Sequence, residues 1–164
     1  MEAKYGKYVW ESAVNDQTAI VFPNDLNAFG TLFGGRLMDM ADRVAAVVAQ
    51  RHTGGGCVTL SIDSVVFHES ARHGDILTFK AAVNRTWHTS MEVGMKIFAQ
   101  GYRSNKQRHI VSAYFTFIAV DENLHPIAVC PVIPQSDEEK RRYAAADIRR
   151  AHRLEACGRT SKQP

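Results

Sequence analysis

The segment from Arg36 to His52, RLMDMADRVAAVVAQRH, constrains the fold more than any other part of the chain. Leu37, Met40, Ala41, Val44, Val47 and Val48 recur at helical spacing, and the Thr53-Gly54-Gly55-Gly56 run stops the pattern. At about 100° per residue, Arg36, Asp39, Arg43 and Gln50 form one narrow polar strip, with Asp39 and Arg43 at salt-bridge spacing. The remainder is apolar or small, except for Asp42, which falls beside Met38, Ala45, Ala46 and Ala49. A helix apolar over so much of its circumference has to be wrapped by other structure.

The rest of the chain reads as that wrapping. A short strand, TAIVFP, ends at Pro23, and the loop NDLNAFGTLFGG leads into the helix. In VTLSIDSVVF, Val58, Leu60 and Ile62 alternate with Thr59, Ser61 and Asp63, and the phase shifts near Ser64 as a bulge requires. DILTFKAAVNRTW, with Leu77, Phe79, Ala81 and Val83 on one face, and SMEVGMKIFAQ, with Met91, Val93, Met95 and Ile97, form a hairpin around His88. RHIVSAYFTFIAV closes the meander at the turn of Asp121, Glu122 and Asn123, and a charged helix follows Pro131 and Pro134. The expected fold class is α+β: an antiparallel sheet wrapped around one long central helix, plus a C-terminal helix. We divide the chain into an N-terminal extension (1–14), one domain (15–134) and a charged C-terminal helix and tail (135–164). A single such unit leaves sheet edges exposed, so two units are expected to pair.

Composition narrows the function classes. The 164 residues, 45% apolar and 23% charged, fit one core, and no apolar run approaches the ~20 residues of a membrane span. The start, MEAKYGKYVW, lacks the basic and apolar regions of a secretory signal, which makes the cytoplasm the expected compartment. Cys57, Cys130 and Cys157 lie far apart and read as reduced thiols, and the nearest histidine pair, His68 and His73, spans a turn, so no metal site is expected. The net charge of +3 is mild and no nucleic-acid motif is present. EEKRRYAAADIRRAHRLEACGR reads as a solvated helix laced with acid–base pairs. Arg103, Lys106 and Arg108 form the one basic cluster without acids nearby in sequence, suited either to phosphates or to a soluble hairpin tip.

Chemistry concentrates in NAFGTLFGGRLMDMAD, Asn27 to Asp42. Gly34 and Gly35 immediately precede the helix, where amides without intrahelical partners and the positive end of the macrodipole favour an anion. A thioester carbonyl held there would have its developing oxyanion stabilised. Asp42 follows two turns on, about 10 Å along the axis at ~1.5 Å per residue. A carboxylate on an alanine-lined shoulder is partly desolvated, which suits a base toward bound water, or it pairs with an arginine at the edge of the core. Asn27, on its residue type alone, is a turn former.

The spacing of Asn27, Gly30, Gly34, Gly35 and Asp42 resembles the bacterial hotdog-fold acyl-CoA thioesterases of the acyl-CoA hydrolase family. SIDSVVFHESARHGDIL, HTSMEV, FIAVDENLHPI and PQSDEEKRRYAAADIRR are similar to later passages of that family, so the resemblance covers about residues 15 to 155. It implies the hotdog fold and hydrolysis of acyl-CoA to a carboxylic acid and CoA, with no cofactor. It also implies a site shared across a dimer, Asp42 acting as general base or nucleophile and Asn27 of the other subunit orienting water or the carbonyl. Amides around Gly34 and Gly35 would form the oxyanion hole, and dimers would assemble into a tetramer or hexamer. Arg103, Lys106, Arg108 and Ser90 become candidates for contact with CoA. The passage HESARHGD departs from the family's more apolar, proline-containing segment, which sets the surroundings of His68 apart. A hotdog dehydratase or hydratase would need a histidine paired with an acid near the helix start, where Phe33 stands. A non-catalytic acyl-CoA-binding hotdog protein is the alternative of a different class.

Overall fold

The apolar run forms one helix, α1 (Gly34–Thr53), in a computed structural model that describes residues 6–158. Phe33 is its N-cap, so Gly34 and Gly35 make the first turn rather than precede it. Gly54, with φ of 71°, ends it by returning its amide to the Gln50 carbonyl at 2.8 Å, a left-handed position that glycine adopts without strain.

Five strands wrap α1: β2 (Val14–Ile20), β3 (Gly56–Phe67), β4 (Ile76–Thr86), β5 (Ser90–Gln100) and β6 (Arg108–Val120). They form one antiparallel sheet in the order β2-β4-β5-β6-β3. The predicted inner faces of β4 and β5 hold: Leu77, Phe79, Val83, Val93 and Ile97 are buried, together with Phe115 and Phe117 of β6, against Leu37, Ala41, Ala45 and Val48 of α1. Full burial of side chains of this size stabilises by roughly 1.5–3 kcal/mol each, and the alanines let helix and sheet approach closely. Strand β2 begins at Val14, ahead of TAIVFP, and the chain leaves the strand at Val21, whose amide donates to the Asp75 carbonyl at 3.0 Å.

β3 departs from the sequence reading. Its register with β6 shifts twice, between Thr59 and Ser61 and between Ile62 and Ser64. Thr59, the last residue of the regular stretch ahead of the first bulge, stands opposite buried Phe117, and so on the helix side. Val58, Leu60 and Ile62, expected to alternate as one buried face, are instead 42%, 56% and 43% exposed along an edge of the sheet.

The ends of the described chain are laced together. β1 (Lys7–Tyr8) pairs in parallel with β7 (Val132–Ile133), and Lys7 Nζ donates to the Arg51 carbonyl at 2.7 Å. The helix α2 (Asp137–Ala156) starts in a capping box of Ser136 and Glu139. Its outward acids pair as the spacing predicts, Glu138 with Arg141 at 2.7 Å, but it is not simply solvated. Arg149 grips the fully buried Glu92 with bonds of 2.9 and 2.7 Å, and Arg153 reaches Asp63 and Thr116, docking α2 on the outer face of the sheet. Two inward arginines look like any solvent charge in a one-dimensional pattern, which is why the solvated reading fails. Residues 1–5 of the extension and 159–164 of the tail lie outside the described residues. Among those described, no helix is long and apolar enough to cross a membrane.

Candidate active site

The loop into α1 is built around Asp25, which is 3% exposed. Its carboxylate accepts the Phe22 amide at 2.9 Å and Arg36 Nε at 2.8 Å, and its carbonyl accepts the Phe33 amide at 2.8 Å. The Phe22 amide, helped by the Arg36 guanidinium, holds this carboxyl below the usual carboxylate range against the opposing effect of burial. Arg36 also bonds Asp39 at 2.7 Å, and Asp39 meets Arg43 at 2.9 Å, as the helical spacing predicts. The loop is thereby stapled to the start of the helix.

Asn27 is a turn former. Its Oδ1 accepts the amides of Phe29 at 2.9 Å and Thr31 at 3.2 Å, and its Nδ2 donates to Thr31 Oγ1 at 2.9 Å. The Asn27 amide donates to the Thr31 carbonyl at 2.8 Å across Gly30, whose φ of 73° the turn requires. One N–H of the amide group is left over after these bonds.

At the helix start, the amides of Gly34, Gly35 and Arg36 meet no acceptor among the described residues. Gly34 borders a cleft of about 470 Å³ lined by Leu32, Leu37, Phe67, His68 and Ile110. A Cβ on Gly34 would touch the Phe67 ring at 3.4 Å.

Asp42 lies half-buried on α1 and its Oδ1 accepts the Thr59 hydroxyl at 2.9 Å. No arginine pairs with it among the described residues, so the ion-pair alternative is not what the fold builds. Within one chain Asn27 and Asp42 share no partner: the first is bonded inside its own loop, the second across to β3.

The basic candidates separate. Arg108 is not free of acids, because the fold brings Glu69 to 3.2 Å and Asp75 to 2.8 Å, and it also donates to the Ser70 carbonyl at 3.0 Å. Arg103 stacks over Tyr102 with 5.1 Å between guanidinium and ring centre, and Lys106 is exposed on the same hairpin tip. Ser90 opens β5 while that tip follows its far end, so about 35 Å of strand at ~3.4 Å per residue separates them. One chain does not bring these four together.

Comparison with known proteins then fixes the family. The thioesterase superfamily profile matches residues 29–104. The uncharacterized acyl-CoA thioester hydrolase YkhA of Bacillus subtilis is 34% identical over 139 residues, 85% of this chain and 80% of that one. The chain belongs to the thioesterase superfamily. A hexameric acyl-CoA thioesterase, solved in its apo form, superposes with a TM-score of 0.89 at 37% identity, covering 93% of this chain and 97% of its own. The acyl-CoA hydrolase of Staphylococcus aureus, solved with butyryl-CoA, CoA and CoA disulfide, gives 0.84 at 37% identity over 93% and 94%. Variants of that hydrolase with alanine in place of an aspartate, an asparagine or a threonine, each 36% identical and covering 93–94% of this chain, give 0.83–0.86. The fold of this thioesterase-superfamily chain is the hotdog, as expected.

Two residues of the site escape sequence reasoning. Thr59 reaches Asp42 because it, and not Val58 or Leu60, takes the helix side of β3, and nothing in the alternation of VTLSIDSVVF marks the irregularity that follows it. Asp25 stands in an ordinary turn motif, Pro23-Asn24-Asp25, and only its bond to Arg36, eleven residues on, reveals the staple.

Proposed function

We propose that the chain hydrolyses acyl-CoA thioesters to a carboxylic acid and free CoA. The observation that carries this reading is the environment of Asp42: its carboxylate is bonded by a hydroxyl rather than neutralised by an arginine. Thr59 thereby fixes the direction of the carboxylate's free lone pairs. Two turns away, the unclaimed amides of Gly34 and Gly35 form the oxyanion hole. With the thioester carbonyl at those amides, Asp42 either activates a water or attacks the carbonyl directly, in which case water then cleaves the acyl–aspartyl anhydride and restores the carboxylate. The C–S bond breaks as the tetrahedral species collapses, the proton released by water goes to the departing thiolate, and water is the only co-reactant.

Asn27 serves the site of the other subunit. Its loop is held by its own bonds, which leave one N–H of the side-chain amide over and tie Asn27 to Thr31 and Phe29 rather than to its own Asp42. The partner reaches it by pairing along β3, whose outer edge has no neighbour among the described residues. Dimers then assemble to a hexamer, the state of one solved relative. The alanine variants of the S. aureus hydrolase support the assignment: their asparagine, aspartate and threonine are separated along that chain as Asn27, Asp42 and Thr59 are here. Arg103, Lys106 and Ser90 are the CoA contacts in this reading, gathered from different subunits, and the activity is cytoplasmic.

Thiol release from a panel of acyl-CoA esters tests the proposal. Asp42→Ala is expected to keep its oligomeric state and to lose turnover by more than about a hundredfold. Full activity in that variant refutes the mechanism, and a wild type that binds acyl-CoA without releasing thiol is a binding module instead. Mixing inactive Asn27→Ala and Asp42→Ala subunits is expected to restore part of the activity. No recovery after verified exchange counts against a shared site.

A further inference from the structure

The outer face of the sheet, opposite the face that covers α1, carries a second built hollow. Across β4, β5 and β6, Lys80 stands directly opposite Lys96, and Lys96 opposite Ser112. In the adjoining row Ala82 stands opposite Gly94 and Gly94 opposite Tyr114. This row of small residues floors a groove of about 440 Å³, within the ~300–1,000 Å³ of small-molecule sites. The floor is kept bare by packing, since a Cβ on Gly94 would run into the Asn84 amide, which is held by buried Glu92 at 2.9 Å.

Like charges directly opposite on antiparallel strands destabilise a sheet. Neither lysine has a carboxylate within ion-pair distance among the described residues: Lys80 lies 5.3 Å over the Phe98 ring, and Glu138, the acid whose field reaches Lys96, is taken by Arg141 at 2.7 Å. Arg142 adds a third cation where α2 borders the groove. Glu139 is the one carboxylate in the lining, and it is committed to the helix cap, accepting the amides of Gln135 at 2.7 Å and Ser136 at 3.0 Å. Trp10, 66% exposed, stands in the same wall, its ring stacked beside Tyr8 with 6.3 Å between centroids. Converging cations beside an exposed aromatic plane suit a ligand with both phosphates and a flat ring.

We propose that this groove binds a nucleoside phosphate, its base against Trp10 and its phosphates at Lys80 and Lys96. The like-charge pair is then relieved when the site is filled. The ligand chemistry is shared by a free nucleotide and by the phosphorylated adenosine end of a CoA, and the inference does not rest on thioester hydrolysis.

The test is calorimetric titration of the full chain with ADP and with adenosine 3′,5′-bisphosphate, with inorganic pyrophosphate as the control. Binding is expected to weaken at least tenfold in Lys80→Glu, and several-fold in Trp10→Ala, with kcat for thiol release unchanged in both. Lys80→Glu should melt no lower than wild type, because it replaces a like-charge pair by an opposite-charge pair with Lys96; the melting curve thus separates lost binding from lost folding. A free-nucleotide site binds ADP and leaves KM for acyl-CoA unchanged in Lys80→Glu, whereas a site for the CoA end prefers the bisphosphate and raises KM; either supports the proposal. No binding of either nucleotide to wild type at millimolar concentration overturns it, as does undiminished binding in Lys80→Glu. Pyrophosphate binding as tightly as ADP, with Trp10→Ala unaffected, overturns the nucleoside part. Failure of the thioesterase reading is visible separately, as absent thiol release with nucleotide binding intact.

Discussion

His52 joins three segments of chain from the last turn of α1. Its ring is fully buried, with Nε2 donating to the Cys130 carbonyl at 3.0 Å and Nδ1 3.4 Å from the Ser12 hydroxyl, which donates to it. Burial pushes its pKa below the ordinary 6.5, and the Cys130 carbonyl, which favours the charged ring, does not make up the difference. The sign follows: as pH falls through about 6.5, the unfolded chain takes up a proton that the folded one refuses, so stability is complete above that value and declines below it. The urea midpoint is therefore expected to hold from pH 8 to 7 and to fall from about pH 6.5 toward 5. His52→Gln should flatten that slope, and an unchanged slope would assign it to other groups. Residues of this kind divide by how far their partners lie in sequence. Asp42 and the amides of Gly34 and Gly35 are legible because one helix fixes their mutual positions. Arg108 is not, because the acids that bind it come from 39 and 33 residues away, and His52 meets a carbonyl 78 residues on.

At the scale of elements, α2 is held by charge inside the fold rather than by an apolar stripe. Burial opposes the charge of Arg149, yet its bonds to the Glu92 carboxylate outweigh that and hold the guanidinium pKa above its ordinary value. The guanidinium also lies 3.8 Å over the Tyr114 ring, as Arg85 does over Tyr143. Arg149→Met leaves Glu92 buried with only Asn84 to bond it, and removal of one partner from a buried pair costs about 3–5 kcal/mol. Urea denaturation should register that loss, and adding Glu92→Gln should recover much of it; a double variant as weak as the single one would deny the pair its role. Glu92 also marks the limit of pattern reading. In SMEVGMKIFAQ it occupies an alternating polar position that predicts solvent, and only the arrival of α2 makes it core. Helix α1, the hairpin around His88 and β6 were legible because periodicity is local. The parallel pairing of β1 with β7 was not, since two strands of two residues each carry no period at all.

The molecule as a whole is unfinished along β3. Among the described residues this twelve-residue strand pairs only with β6, and Val58, Leu60, Ile62, Val66 and Phe67 along it are each exposed. A long, apolar, unpaired edge is a template for another chain, and proteins that remain single block such edges with lysine, proline or short strands. Here Thr59 faces Asp42 while Val58 and Leu60 beside it stay exposed at the edge, so the neighbourhood of Asp42 and the pairing surface share one short stretch of one strand. If the site draws Asn27 from the partner, closing the edge must remove activity even though every residue around Asp42 stays in place. Leu60→Lys is therefore expected to sediment as a monomer at micromolar concentration, to melt lower because assembly no longer stabilises it, and to release thiol more than about a hundredfold more slowly. Ile148→Lys, a charge placed on an equally exposed apolar residue of α2, should change none of the three. A Leu60→Lys protein that sediments like wild type and keeps its turnover would mean that β3 is not the seam, and the shared site would fall with it.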